Sequence, residues 1–120
     1  MREAVAPATY YRSVAVAARV AAASPYELTL ILYEQLLDAL GQMLAARSPL
    51  AQVTPRSQAL ALLHGLEQGL DDGADARLAA DFRTLFRSIA ARVGGDDASA
   101  LRAAHGDAAD LLAMWRGLKP

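Results

Sequence analysis

Read for the spacing of apolar against polar side chains, the chain divides into five helical stretches. Residues 1–7 carry no sustained pattern and end in a proline, so a loose arm is expected there. Over residues 8–23, Tyr10, Val14, Ala17 and Ala21 repeat at helical intervals while Arg12 and Arg19 share the opposite face, which predicts a weakly amphipathic helix. Its apolar face is mostly Ala and Val, which bury little area, so it should dock marginally. Ser24-Pro25-Tyr26-Glu27 then marks a start: a capping serine, a proline at the first helical position, and a glutamate three residues on that completes a capping box. In the second helix, Leu28, Leu30, Leu32, Tyr33, Leu36, Leu37, Ala39, Leu40, Met43 and Leu44 cover an arc of roughly 200° at 100° per residue. Glu34, Gln35, Asp38 and Gln42 fill the rest, with Ile31 isolated among them.

An outer helix of a bundle needs an apolar stripe of only about 100° or somewhat more. The second helix is therefore either the most enclosed member of a bundle or has apolar surface left for a partner. Residues 47–53 read as a connector, and Thr54-Pro55 repeats the cap-then-proline start. A third helix is expected from Pro55 to about Leu70 with Ala59, Leu63, Leu66 and Leu70 inward. Gly65 and Gly69 each cost it about 1 kcal/mol relative to Ala, so it depends on packing. Residues 74–93 hold Leu78, Phe82, Leu85, Phe86, Ile89 and Val93 at 3/4 spacing. After Gly94-Gly95, Asp96 and Asp97 lead a last helix whose stripe is Leu101, Ala104, Ala108, Leu111, Leu112 and Trp115. Four long helices on short connectors pack most simply as an antiparallel up-and-down four-helix bundle, with the 8–23 segment as an additional short N-terminal helix.

Composition agrees with an all-α chain. Of 120 residues, 28 are Ala and 19 are Leu, both strong helix formers. This length fits one domain over residues 1–120. With no Cys, disulfides and thiolate metal sites are excluded. Twelve basic against 13 acidic side chains give a net charge of −1, which offers no bulk attraction to nucleic acid or an anionic membrane. Arg12, Ser13 and Arg19 break up the early apolar residues, and no run of 18 apolar residues occurs. A cytoplasmic protein is the expectation.

Chemistry is sparse. A carboxylate-bridged metal pair in a helical bundle needs Glu-x-x-His, and neither His64 nor His105 has a carboxylate three residues before it. No phosphate-binding loop, nucleophile elbow or His-Glu-x-x-His is present, so no enzyme activity, metal or cofactor is expected. Arg77, Arg83, Arg87 and Arg92 form either a basic patch or the solvated face of an amphipathic helix; Asp75 and Asp81 favour the latter. Tyr10 and Tyr11 either pin the first helix or sit at a partner site, and spacing does not separate the two. The wide leucine arc points to a helix-in-groove surface.

Tyr11 with Ser13-Val14, followed by Ala23-Ser24-Pro25-Tyr26-Glu27-Leu28-Thr29-Leu30-Ile31-Leu32-Tyr33-Glu34, closely resembles the amino-terminal signature of the FliS family of flagellin export chaperones. Leu85-Phe86 stands where that family usually has Leu-Tyr, Ser88 where a second tyrosine is frequent, and Trp115 where a Trp is common. The resemblance implies an antiparallel helical bundle. It also implies a function: binding the disordered carboxy-terminal segment of flagellin, preventing its premature polymerisation and assisting its delivery to the export apparatus, with an export-gate component as a further partner. Carried onto this sequence, it implies partner contacts at Tyr10, Tyr11, Leu28, Leu32, Tyr33, Leu85 and Phe86. The alternative reading is a non-catalytic structural bundle, a homodimer in which the wide apolar helix packs against a copy of itself.

Overall fold

The computed structural model describes residues 7–70 and 75–118, with side chains from Val14 onward. The expected arm falls on residues 1–6, outside the described residues, and Pro7 already begins a helix. Among the described residues there are five helices and no strand: α1 Pro7–Ala22, α2 Pro25–Ala45, α3 Pro49–Gln68, α4 Ala76–Gly94 and α5 Ala98–Gly117. α2 packs on both α3 and α5, α3 on α4, and α4 on α5, so four helices close around one core.

Local chemistry sets the helix starts. Ser24 Oγ accepts from the Glu27 N–H at 3.2 Å and Glu27 Oε1 accepts from the Ser24 N–H at 3.2 Å, the reciprocal box expected from the sequence. Asp75 caps α4 through the Leu78 N–H, and Asp97 caps α5 through the N–H groups of Ser99 and Ala100. These bonds hold the Glu27 carboxyl below its ordinary range, the Ser24 N–H contributing most.

α3 starts one and a half turns earlier than expected. Ser48 caps it through the Ala51 N–H at 3.1 Å, and Pro55 lies buried inside the helix. The added residues bring Gln52 onto α2, while Arg56, just after Pro55, reaches α4. Gln52 donates to the Met43 carbonyl at 3.1 Å in the last turn of α2, and Arg56 donates to the Val93 carbonyl at 3.1 Å in the last turn of α4. The Val93 carbonyl is thus satisfied from α3 by a cation, and the Met43 carbonyl gains a second donor beside the Ala46 N–H at 3.3 Å. The carbonyl that Pro55 cannot serve belongs to exposed Ala51, where water reaches it.

The fully buried large side chains are Leu36, Leu40, Met43, Ile89 and Val93. Ala59, Ala104 and Ala108 are wholly buried beside them and let the backbones approach closely. Most of the leucine arc on α2 is consumed here, because α3 and α5 cover it from two sides; Leu28 and Leu44 alone among its large apolar members are classed as exposed. Three expectations are corrected. Ile31, placed by spacing among polar residues, is buried. It shares that face with Glu34, which Arg19 of α1 reaches at 2.9 Å. Leu78 is 52% exposed and Ala79 is buried instead, because Ala79, seven residues before Phe86, continues the buried line of Phe86, Ile89 and Val93 into the first turn of α4. On α1, Val14, Ala17 and Ala21 are exposed while Val16 is half-buried, as is Ala23 just beyond its end. Alanines offer too little area to set the docking face, and the Arg19–Glu34 pair sets it.

Candidate functional site

Five aromatic rings form a row across the bundle. Tyr26, in the first turn of α2, stacks on Trp115 in the last turn of α5 with centroids 5.4 Å apart and planes at 16°. The pair is locked by reciprocal bonds: the Tyr26 hydroxyl donates to the Trp115 carbonyl at 2.9 Å, and the Trp115 indole N–H donates to the Tyr26 carbonyl at 3.1 Å. From Trp115 the row continues to Tyr33 at 6.0 Å, Phe86 at 6.4 Å from Tyr33, and Phe82 at 6.0 Å from Phe86, all tilted.

A cleft of about 120 Å³ opens beside this row. α2 supplies Thr29, Leu32 and Tyr33; α3 and its end supply Gly65, Leu66, Gly69 and Leu70; α4 supplies Phe82 and Phe86, and α5 Trp115. A side chain added at Gly65 would meet nothing within 4 Å. The glycine that weakens α3 therefore keeps the cleft open. Its size is close to that of an apolar cavity that takes a single aromatic ring.

Tyr33 carries the polar chemistry of the cleft. It is 3% exposed, and burial pushes its phenol up to about 12, so the hydroxyl stays protonated at neutral pH. Among the described residues no group hydrogen-bonds that hydroxyl, although a buried O–H without a partner is unfavourable by about 1–3 kcal/mol. An apolar slot whose one donor has no partner among the described residues suits a side chain bearing a nearby acceptor, such as a backbone carbonyl. Elsewhere, two ion pairs tie the helices together. Arg87 holds Glu67 through two bonds at 3.2 and 2.9 Å, keeping that carboxyl below its ordinary range, and Arg92 meets Asp107 at 2.6 Å. Among the described residues no group of three or more His, Asp or Glu is placed to hold a metal, and no helix is long and apolar enough to cross a membrane.

Of the residues expected at a partner site, Leu32, Tyr33 and Phe86 line the cleft together. Leu85 is half-buried against the core outside it, and Leu28 is 40% exposed on the surface of α2. Tyr10 and Tyr11 belong to α1, and their side chains lie outside the described residues. Sequence reasoning did not assign Tyr26, Gly65, Gly69, Phe82 or Trp115 to the site. The signal for the glycines was present: two helix-weakening residues four apart fall on one face.

The family model described as flagellar protein FliS matches residues 7–119, nearly the whole chain. No curated protein matches.

Proposed function

From the premise that the chain belongs to the FliS family of flagellar chaperones, we propose that it is a cytoplasmic export chaperone for flagellin. In this reading a single domain, an antiparallel four-helix bundle with α1 appended, captures flagellin's disordered carboxy-terminal segment. It holds the segment from polymerising and hands it to the export apparatus through a gate component. Contact residues are drawn from Tyr10, Tyr11, Leu28, Leu32, Tyr33, Leu85 and Phe86. The observation that carries the reading is the aromatic cleft: Leu32, Tyr33 and Phe86 meet there around an open slot whose phenol has no partner among the described residues. Binding orders the client, so part of the burial energy is offset and affinity stays moderate enough for release.

The test is a titration of the purified chain with the carboxy-terminal peptide of its cognate flagellin, followed by heat and by the fluorescence of Trp115, the single tryptophan. Saturable binding at micromolar peptide is expected. Leu32→Asp should weaken it more than Arg87→Ala, with circular dichroism confirming that both fold. No binding at tens of micromolar, together with a concentration-independent dimer, returns the chain to the self-packing alternative.

A further inference from the structure

The aromatic cleft is complete before any client arrives. The reciprocal bonds between Tyr26 and Trp115 fix one wall, and Tyr33 and Phe86 are buried in the core behind it. Its volume of about 120 Å³ holds one ring and no more, since an apolar cavity of about 150 Å³ takes a single benzene. Leu32, Leu66, Leu70, Phe82, Phe86 and Trp115 give it an apolar lining in which no charged side chain takes part. An ion entering it would lose its water without gaining a counter-charge. Much of the polar wall is already used: the Trp115 indole N–H donates to the Tyr26 carbonyl, and the Gly65 carbonyl accepts from the Gly69 N–H at 3.1 Å. What remains for a ligand is the buried Tyr33 phenol, which has no partner among the described residues, and Thr29 adds the other side-chain hydroxyl of the lining. Gly65 leaves the way in clear, because a side chain there would meet nothing within 4 Å.

We propose that this cleft binds a free, uncharged, single-ring aromatic molecule carrying one hydrogen-bond acceptor, and that such a molecule occupies it in place of the client. Each feature of the cleft narrows the class. The volume sets one ring, the uncharged lining excludes ionised aromatic acids and amines, and the phenol selects an acceptor over a plain hydrocarbon, which would leave that buried donor unpaired. The first half stands on the cleft alone. The second rests on the client assigned above: a ring beside an acceptor reaches the slot either from solution or as a client side chain next to its own carbonyl, and only one of them fits at a time. A small aromatic molecule is then a regulator of client capture.

Benzonitrile, one ring with one acceptor and no charge, is the probe, and toluene, which lacks the acceptor, is its control. Each is titrated into the full chain and followed by NMR shifts of the chain's aromatic protons. Benzonitrile should saturate the parent and bind about fivefold or more tightly than toluene. Tyr33→Phe should weaken benzonitrile by about the same factor, leave toluene unchanged, and lower the frequency of the bound nitrile stretch, which rises when the nitrogen accepts a hydrogen bond. Gly65→Leu fills the cleft and removes a helix-interior glycine, so it should unfold no earlier than the parent and bind neither molecule. Saturating benzonitrile should raise the apparent Kd of the flagellin carboxy-terminal peptide by about threefold or more. A parent that takes up no benzonitrile, or a folded Gly65→Leu that binds it undiminished, overturns the site and leaves the chaperone reading in place. Equal affinity for the two molecules overturns the acceptor requirement. Peptide affinity unmoved by bound benzonitrile overturns the competition, whereas a parent that binds benzonitrile but no peptide keeps the site and removes the client.

Discussion

Replacing Tyr33 by Phe removes one oxygen from a side chain that is 3% exposed and leaves its packing against Trp115 and Phe86 in place. In the free protein that oxygen is buried with no partner among the described residues, a circumstance unfavourable by about 1–3 kcal/mol. Tyr33→Phe should therefore unfold at the same or a higher denaturant concentration than the parent. If the client supplies an acceptor to the phenol, the variant leaves that acceptor dry and unpaired. The same range, about 1–3 kcal/mol, then appears as a loss of affinity of roughly five- to 150-fold. A third readout is independent of the client. The phenol is pushed up from 10.0 to about 12, so between these values the folded protein keeps a proton that the unfolded chain has released. Stability from this group is fully present below pH 10 and declines as pH rises toward 12; the difference between parent and variant isolates that slope. Titration calorimetry, urea unfolding and alkaline unfolding measure the three effects. A variant destabilised by more than about 1 kcal/mol would mean that the hydroxyl is already bonded in the free protein. Unchanged peptide affinity would mean that the client never meets it, and either result would sink the reasoning.

Three further outcomes follow from the frame. Ser24→Ala removes the N-cap of α2 and should cost about 1 kcal/mol, a drop of about 4 °C in Tm by scanning calorimetry. Because the box holds the Glu27 carboxyl below 4.5, its contribution is present above that pH and fades as pH falls through the lowered value; the variant keeps the N–H of residue 24 that contributes most, so it should lose only the part of that acid dependence owed to the hydroxyl. Pro55→Ala gives the Ala51 carbonyl its donor back and should stabilise by about 1–3 kcal/mol in urea unfolding, unless the buried ring's lost contacts cancel the gain, in which case unchanged stability assigns the ring a packing role of equal size. Arg87→Ala breaks a well-formed pair with Glu67, yet Arg87 faces water, so the urea midpoint should barely move, and less in high salt.

What the sequence revealed and what it hid divide along the range of the interactions. Starts written in neighbouring residues were legible: the Ser24–Glu27 box and the acidic cap at Asp97 act over two or three positions. The start of α3 was not, because Thr54-Pro55 imitates a cap. The true start is the Ser48 cap, and what it gains is Gln52 on the end of α2, nine residues away in sequence. Ile31 was misplaced for a similar reason, since periodicity assumes one packed side and α2 has α1 tied to another. At the site, Leu32, Tyr33 and Phe86 were legible through motif resemblance. Gly65 announced itself only as a defect, and no local pattern joins Tyr26 to Trp115 across 89 positions.

That last separation governs when the molecule can finish. As the chain emerges from a ribosome, the first turn of α2 appears early but finds the ring it stacks on, and both of its reciprocal bonds, only after residue 115 is free. The lips of the cleft are thus joined late, by two segments that lie 89 positions apart in the chain. A nascent chain stalled before Trp115 should display its caps and helices while lacking a finished slot, so competence to hold a client would arrive in one late step.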